Sequence, residues 1–149
     1  MVKPRPSRLT RDNLGFLLAK AAQRWNELLH LRFAAAGFAH VRPAYGSILI
    51  PLFEEDGLQI GELARRAGSS KQTMTTMLRQ MAAAGLVERR ADPGDGRAAR
   101  IYLTAEARRF RPVAEQVLAE LDRMADAVTP LGLGPALCRW LVAMMQLRR

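Results

Sequence analysis

The sequence predicts a mainly α fold carrying one small β-hairpin, and three observations carry that expectation. Two short stretches with apolar residues at helical period flank a small-residue turn at Gly68-Ser69-Ser70. Two β-prone runs follow at once and enclose Asp92-Pro93-Gly94-Asp95-Gly96, a loop dense in turn formers. Long apolar-striped segments frame this unit over residues 11–36 and 105–148. Together they describe a winged helix-turn-helix flanked by long N- and C-terminal dimerisation helices. Its 149 residues form a single domain, with the winged-helix lobe at 44–104.

Taken in order, residues 1–10 are basic and proline-rich and read as a loose arm. A helix over 11–36 puts Leu14, Leu17, Leu18, Ala21, Trp25, Leu28 and Leu29 on one stripe, with Phe16, Leu31 and Phe33 partly off it. Apolar residues on more than one face need more than one packing surface, and a second copy of the chain supplies it. Gly37 ends this helix. The next, 44–55, turns Ile48, Leu49, Leu52 and Phe53 inward, with Pro51 inside it. Glu54-Glu55-Asp56-Gly57 makes a solvated corner, and Leu58-Gln59 is placed to add a third strand.

The helix over 60–67 carries Ile60, Leu63, Ala64 and Ala67 on one face, and Gly68 stops it. Ser69 or Ser70 caps the following helix, which buries Met74, Met77, Leu78 and Met81. Residues 86–90 and 100–103 make the hairpin stems, with Arg97 near the tip. Thr104 caps a helix over 105–128 whose inner face is Phe110, Val113, Val117, Leu121, Met124 and Val128, kinked at Pro112. After a turn at 129–135, the last helix presents Leu137, Trp140, Leu141, Met144 and Met145.

Two short helices joined by a tight turn suit major-groove reading, where the start of the second helix meets base edges. Ser69, Ser70, Lys71, Gln72, Thr73, Thr75 and Thr76 stand there. Gln72 matches the two-point pattern of adenine, and threonine methyls suit thymine. Lys71, Arg79, Arg89, Arg90 and Arg100 are placed for phosphates and Arg97 for a minor groove. A net charge of +9 favours polyanionic partners.

Leu63-Ala64, the Ser70/Thr73/Thr75 helix start, Ala84-Gly85-Leu86-Val87-x-Arg89, Asp92-Pro93-x-Asp95-x-Arg97 and Leu103-Thr104 resemble the signature of the MarR-type transcriptional regulators. Thr76 and Gly96 depart from it, standing where that family often carries basic residues. The resemblance implies a homodimeric, ligand-responsive regulator of double-stranded DNA, a repressor on a pseudo-palindromic operator. It also implies a small, often phenolic effector held between the dimerising and DNA-reading parts. Trp25, His30, Phe33, Arg42, Tyr45 and Phe53 are the candidates for such a crevice, offering aromatic walls and a cation. Other readings are a winged helix serving protein–protein contact and a broad-affinity DNA binder.

No cofactor and no metal is expected. His30, His40 and Cys138 lack ligand spacing, and one cysteine forms neither an intramolecular disulfide nor a multi-cysteine zinc site. Phosphate loops, nucleophile elbows and Ser-His-Asp sets are absent from the sequence, so an enzyme is not expected. The N-terminus has no apolar signal core, and no apolar run reaches the ~20 residues of a membrane helix. A cytoplasmic protein follows as the expectation.

Overall fold

The computed structural model describes residues 9–147, which fold into six helices, one 3₁₀ turn and a three-stranded sheet. Residues 1–8 of the arm expected over 1–10, and the last residues, 148 and 149, lie outside them.

Helix α1 spans Leu14–Ala35. It starts later than residue 11 because Asn13 caps it, its Oδ1 accepting the N–H groups of Gly15 and Phe16 at 3.0 and 3.4 Å. Phe33, expected partly off the inner stripe and at a dimer contact, is instead core: four residues on from buried Leu29, it meets Phe110 edge-to-face at 4.8 Å. A 3₁₀ turn over Pro43–Tyr45 leads into α2, Gly46–Glu54. The predicted start at residue 44 is thus a tighter turn set by Pro43, whose fixed φ suits a first-turn position.

The winged helix follows. Strand β1 (Leu58–Gln59) precedes α3 (Ile60–Ala67), which ends on Gly68 at φ 63°, a left-handed position glycine adopts without strain. Helix α4 is Lys71–Ala83, and Ser70 is its cap: Ser70 Oγ accepts the Thr73 N–H at 3.1 Å. Strands β2 (Val87–Asp92) and β3 (Asp95–Leu103) form the hairpin, and the sheet order is β1-β3-β2, antiparallel throughout. The hairpin is longer than the stems read from sequence. Asp92 Oδ1 accepts the Gly94 N–H at 2.9 Å and closes a turn over Pro93-Gly94, so pairing continues to Asp92 opposite Asp95. An irregularity between Ala91 and Asp92 absorbs the change of register.

Helix α5 (Ala105–Val128) runs unbroken through Pro112 and is capped by Thr104, whose hydroxyl also donates to the Gly85 carbonyl at 2.6 Å. Helix α6 is Leu133–Met145, three residues earlier than expected. Pro135 sits in its first turn, where a missing N–H breaks no intrahelical bond. Helix α6 leaves α5 at 110° and buries none of its residues.

One core joins these parts. Leu29, Phe33, Ile48, Leu52, Leu63, Met74, Met81, Leu86, Ile101, Phe110 and Leu121 belong to it. The corner at 54–57, expected to be merely solvated, is a junction instead. Asp56 Oδ1 accepts the Leu103 and Gly57 N–H groups at 2.9 and 3.0 Å, and Oδ2 accepts from Arg108 at 2.6 Å. Gly57 is buried under Tyr102 at φ 73°, where an added Cβ would lie 2.8 Å from the ring. Asp56 thereby ties α2, β3 and α5 together. Asp56→Ala strands those donors and should lower unfolding free energy by about 1–3 kcal/mol in urea melts; a change below about 0.5 kcal/mol, as at an ordinary surface site, would contradict this role.

Candidate nucleic-acid interface

Burial fixes which way α4 faces. Met74, Leu78 and Met81 pack into the core at i, i+4 and i+7, so Lys71, Gln72, Thr75, Thr76, Arg79 and Gln80 are exposed. Helix α4 begins free of acidic residues, and Ser70 satisfies one of its first-turn donors. The hydroxyls of Thr75 and Thr76 donate back to the carbonyls of Lys71 and Gln72 at 2.8 and 3.1 Å. Ser70 and Thr73 bond to each other at 2.9 Å. The Gln72 carboxamide makes no hydrogen bond among the described residues and stands in a shallow groove with Thr73, Thr76, Met77 and Gln80.

Between α4 and the sheet runs a second groove, of about 210 Å³, floored by Ile60, Leu78, Val87 and Ile101 and edged by Thr75, Arg79 and Arg89. Strand alternation explains the arginines. Arg89 pairs with buried Ile101 and shares the α4-facing side, whereas Arg90 pairs with Arg100 on the opposite side.

The structure therefore divides the six cations predicted to meet phosphate or groove. Lys71, Arg79, Arg89 and Arg97 are exposed, and their charged side-chain groups have no carboxylate within 4.0 Å among the described residues. Arg90 is paired with Glu88 at 3.1 Å and stacks on the Tyr102 ring at 4.5 Å. Arg100 is held by Asp92 at 2.8 Å and by the Gly57 carbonyl at 2.8 Å. Both face away from α4, and their guanidiniums are spent on the hairpin and, for Arg100, on the adjoining Gly57 carbonyl. Elsewhere arginines are largely neutralised: Arg65 and Arg66 on Glu62, Arg66 also on Glu55, Arg108 on Asp56, Arg109 on Glu106, Arg111 on Glu115. Hydrogen bonds from Arg65 and then Arg66 pull the Glu62 carboxyl down to about 2, so that cluster stays ion-paired at neutral pH.

A cavity of about 240 Å³ lies between α1, α2 and α5. Trp25, Phe33, Arg42 and Phe53, four of the six residues named for a crevice, line it together with Leu29, Leu49 and Ile50. Arg42 is exposed at its edge and has no carboxylate partner among the described residues. His30 is outside it, in a neighbouring open groove that shares Arg42. Tyr45 lines neither and is buried in the core at 5% exposure, because the 3₁₀ turn points it inward. Sequence reasoning missed the α5 wall, Phe110, Ala114 and Leu118; their i, i+4, i+8 spacing was the available signal.

A helix-turn-helix with a β-hairpin wing beside its second helix, carried on long flanking helices, defines a winged-helix protein. Residues 43–99 match the model of the MarR family. Over that segment the chain is similar to the MarR family. It is 39% identical over 71 residues to the HTH-type transcriptional repressor Rv2887 of Mycobacterium tuberculosis, a match covering 48% of this chain and spanning about half, 51%, of that protein's length. A crystal structure of a probable transcriptional regulator from Pseudomonas aeruginosa is 28% identical and superposes with a TM-score of 0.75, covering 93% of this chain and 99% of that one. The transcriptional repressor CouR, solved bound to a 23-mer DNA duplex, is 25% identical with a TM-score of 0.70, covering 93% of this chain and 96% of that one.

Proposed function

We propose that the chain is a sequence-specific DNA-binding transcriptional regulator that acts as a homodimeric, ligand-responsive repressor, without enzymatic activity. One observation carries the DNA reading: Lys71, Arg79, Arg89 and Arg97 stand without carboxylate partners along α4, its groove and the wing. Nearby arginines that face elsewhere are neutralised. Repressor action is supported by the names of the Mycobacterium tuberculosis protein and CouR. In this reading Gln72 and the start of α4 read bases, while the four free cations hold phosphates and a minor groove. Binding to duplex DNA should weaken steeply with salt. Arg79→Ala and Arg97→Ala should each reduce the log–log salt slope by about one, and Arg90→Ala should leave it unchanged. Equal slopes for all three variants would refute the division of cations.

Dimerisation is supported by α6. Its Leu133, Leu137, Trp140, Leu141, Val142 and Met145 are all exposed, as are Leu14 and Leu17 on α1 and Met124 and Val128 on α5. A helix of 13 residues is marginal alone in water, and this one buries no residue within its own chain. A second copy covering it gains roughly 1.5–3 kcal/mol per fully buried side chain, before association costs. Trp140→Asp should shift sedimentation from dimer to monomer; a wild-type monomer would contradict the assignment.

Effector response is supported by the apolar cavity with free Arg42 at its edge, a setting for an aromatic anion. Calorimetric titration with benzoate should show binding that Arg42→Ala weakens about tenfold, the loss of one charge-assisted hydrogen bond. Undiminished affinity in the variant would remove Arg42 from the site.

A further inference from the structure

The wing's turn is held from outside the hairpin. Asp92 is the one buried charged residue among the described residues, at 8% exposure. Its Oδ1 accepts the Gly94 N–H, and its Oδ2 accepts from Gln59 Nε2 at 2.9 Å and from Arg100 Nε at 2.8 Å. These bonds, the Gln59 amide foremost and the Gly94 N–H next, hold the Asp92 carboxyl below the usual carboxylate range. Arg100 and Gly94 belong to the hairpin, so their bonds to Asp92 tie the wing only to itself. Gln59 does not: it lies on β1 and is the residue from which α3 starts. Strand β1 is two residues long, and its register reaches the hairpin only at Leu58↔Ile101 and Gln59↔Arg100. Arg100 strengthens the same junction by donating to the Gly57 carbonyl at 2.8 Å.

A two-residue strand is a weak hinge stop, and a hairpin with one short neighbour twists readily. An exposed glutamine loses rotamer freedom when it is fixed, with no burial in return. Here that side chain spans 33 positions to reach the buried acid at the turn of the wing.

We propose that Gln59 is a positioning residue for Arg97. By gripping Asp92 from the start of α3, it fixes the angle between the hairpin and the α3–α4 unit, so the tip guanidinium is presented at a set reach from α4. The proposal rests on the DNA-binding reading above. Arg97 itself is tethered only locally, its N–H donating to Asp95 Oδ1 at 3.0 Å, so the hold on Asp92 sets its direction.

The test uses the full chain with Gln59→Glu, which sets a carboxylate against Asp92, and Gln59→Leu, which only removes the donor. Native-state trypsin cleavage after Arg97 reports wing mobility without DNA. Salt-dependent binding to a random-sequence duplex of about 30 base pairs reports the contact itself. Gln59→Glu should speed cleavage about tenfold and lower the salt slope by about one, as Arg97→Ala does, with Gln59→Leu between wild type and Gln59→Glu. In an Arg97→Ala background, Gln59→Glu should cost no further affinity. Unchanged cleavage in both variants would overturn the inference while leaving DNA binding intact. A full loss of affinity persisting in the Arg97→Ala background would overturn it too, by showing that Gln59 acts through stability. A wild-type chain with no salt-dependent binding would instead refute the DNA reading, and the role for Arg97 with it.

Discussion

Everything at the reading face depends on how α4 is seated. Met74 and Met81 are fully buried and Leu78 nearly so, against a core that includes Leu63 of α3, Leu86 and Ile101. That apolar contact is worth several kcal/mol, since each such side chain contributes roughly 1.5–3 kcal/mol when buried. A rotation of α4 by one residue, about 100°, would bury Thr75 or Arg79 and expose a methionine. The packing therefore sets the rotation of the helix, and the rotation decides that Gln72, Thr76 and Arg79 face outward. The Ser70 cap fixes where the helix begins, and Gly68 makes the preceding turn tight enough to place it there.

Charge is sorted on this frame. The chain is rich in arginine, and abundance alone says little about phosphate. Around the winged helix, the charged groups of Lys71, Arg79, Arg89 and Arg97 face no carboxylate among the described residues, whereas Arg65, Arg66, Arg108, Arg109 and Arg111 are matched by acids on their own or adjoining elements. An exposed ion pair adds little stability, on the order of 0–1 kcal/mol. Its larger effect here is on local charge: pairing offsets the arginines beside α3 and at the start of α5, while the cations along α4 and the wing stay uncompensated. Arg90 and Arg100 serve the wing's shape, one over Tyr102 and the other between Asp92 and Gly57.

The helix-turn-helix was legible in the sequence because its signals are local. A glycine stop, a serine cap, a 3.6-residue apolar period and a turn-rich loop all act within a few residues, and Leu58-Gln59 took its place as the third strand as expected. The departures come from contacts that sequence spacing does not reveal. Asp56 meets Arg108 across 52 positions, and Gln59 meets Asp92 across 33. Arg89 and Arg90 are adjacent in the chain, yet alternation sends them to opposite sides of the sheet, and only the register shows which side faces α4. Phe33 and Tyr45 illustrate the same limit for the cavity. Both are aromatics at plausible positions, but one lines the space from the core and the other turns away from it.

The flanking helices connect these features. Arg32 on α1 bonds Glu120 on α5 at 2.9 Å, α5 starts from a threonine bonded to Gly85 at the end of α4, and α6 extends from α5 with its apolar side uncovered. A two-fold pairing through α6 would relate two α4 helices by one axis, which makes the proposed reading geometric as well as chemical. Selecting preferred sites from a random pool of duplex DNA with the purified chain tests it most directly. The account predicts enrichment of inverted half-sites about 10 base pairs apart, centre to centre. Enrichment of single or directly repeated sites, or of no sequence at all, would contradict it.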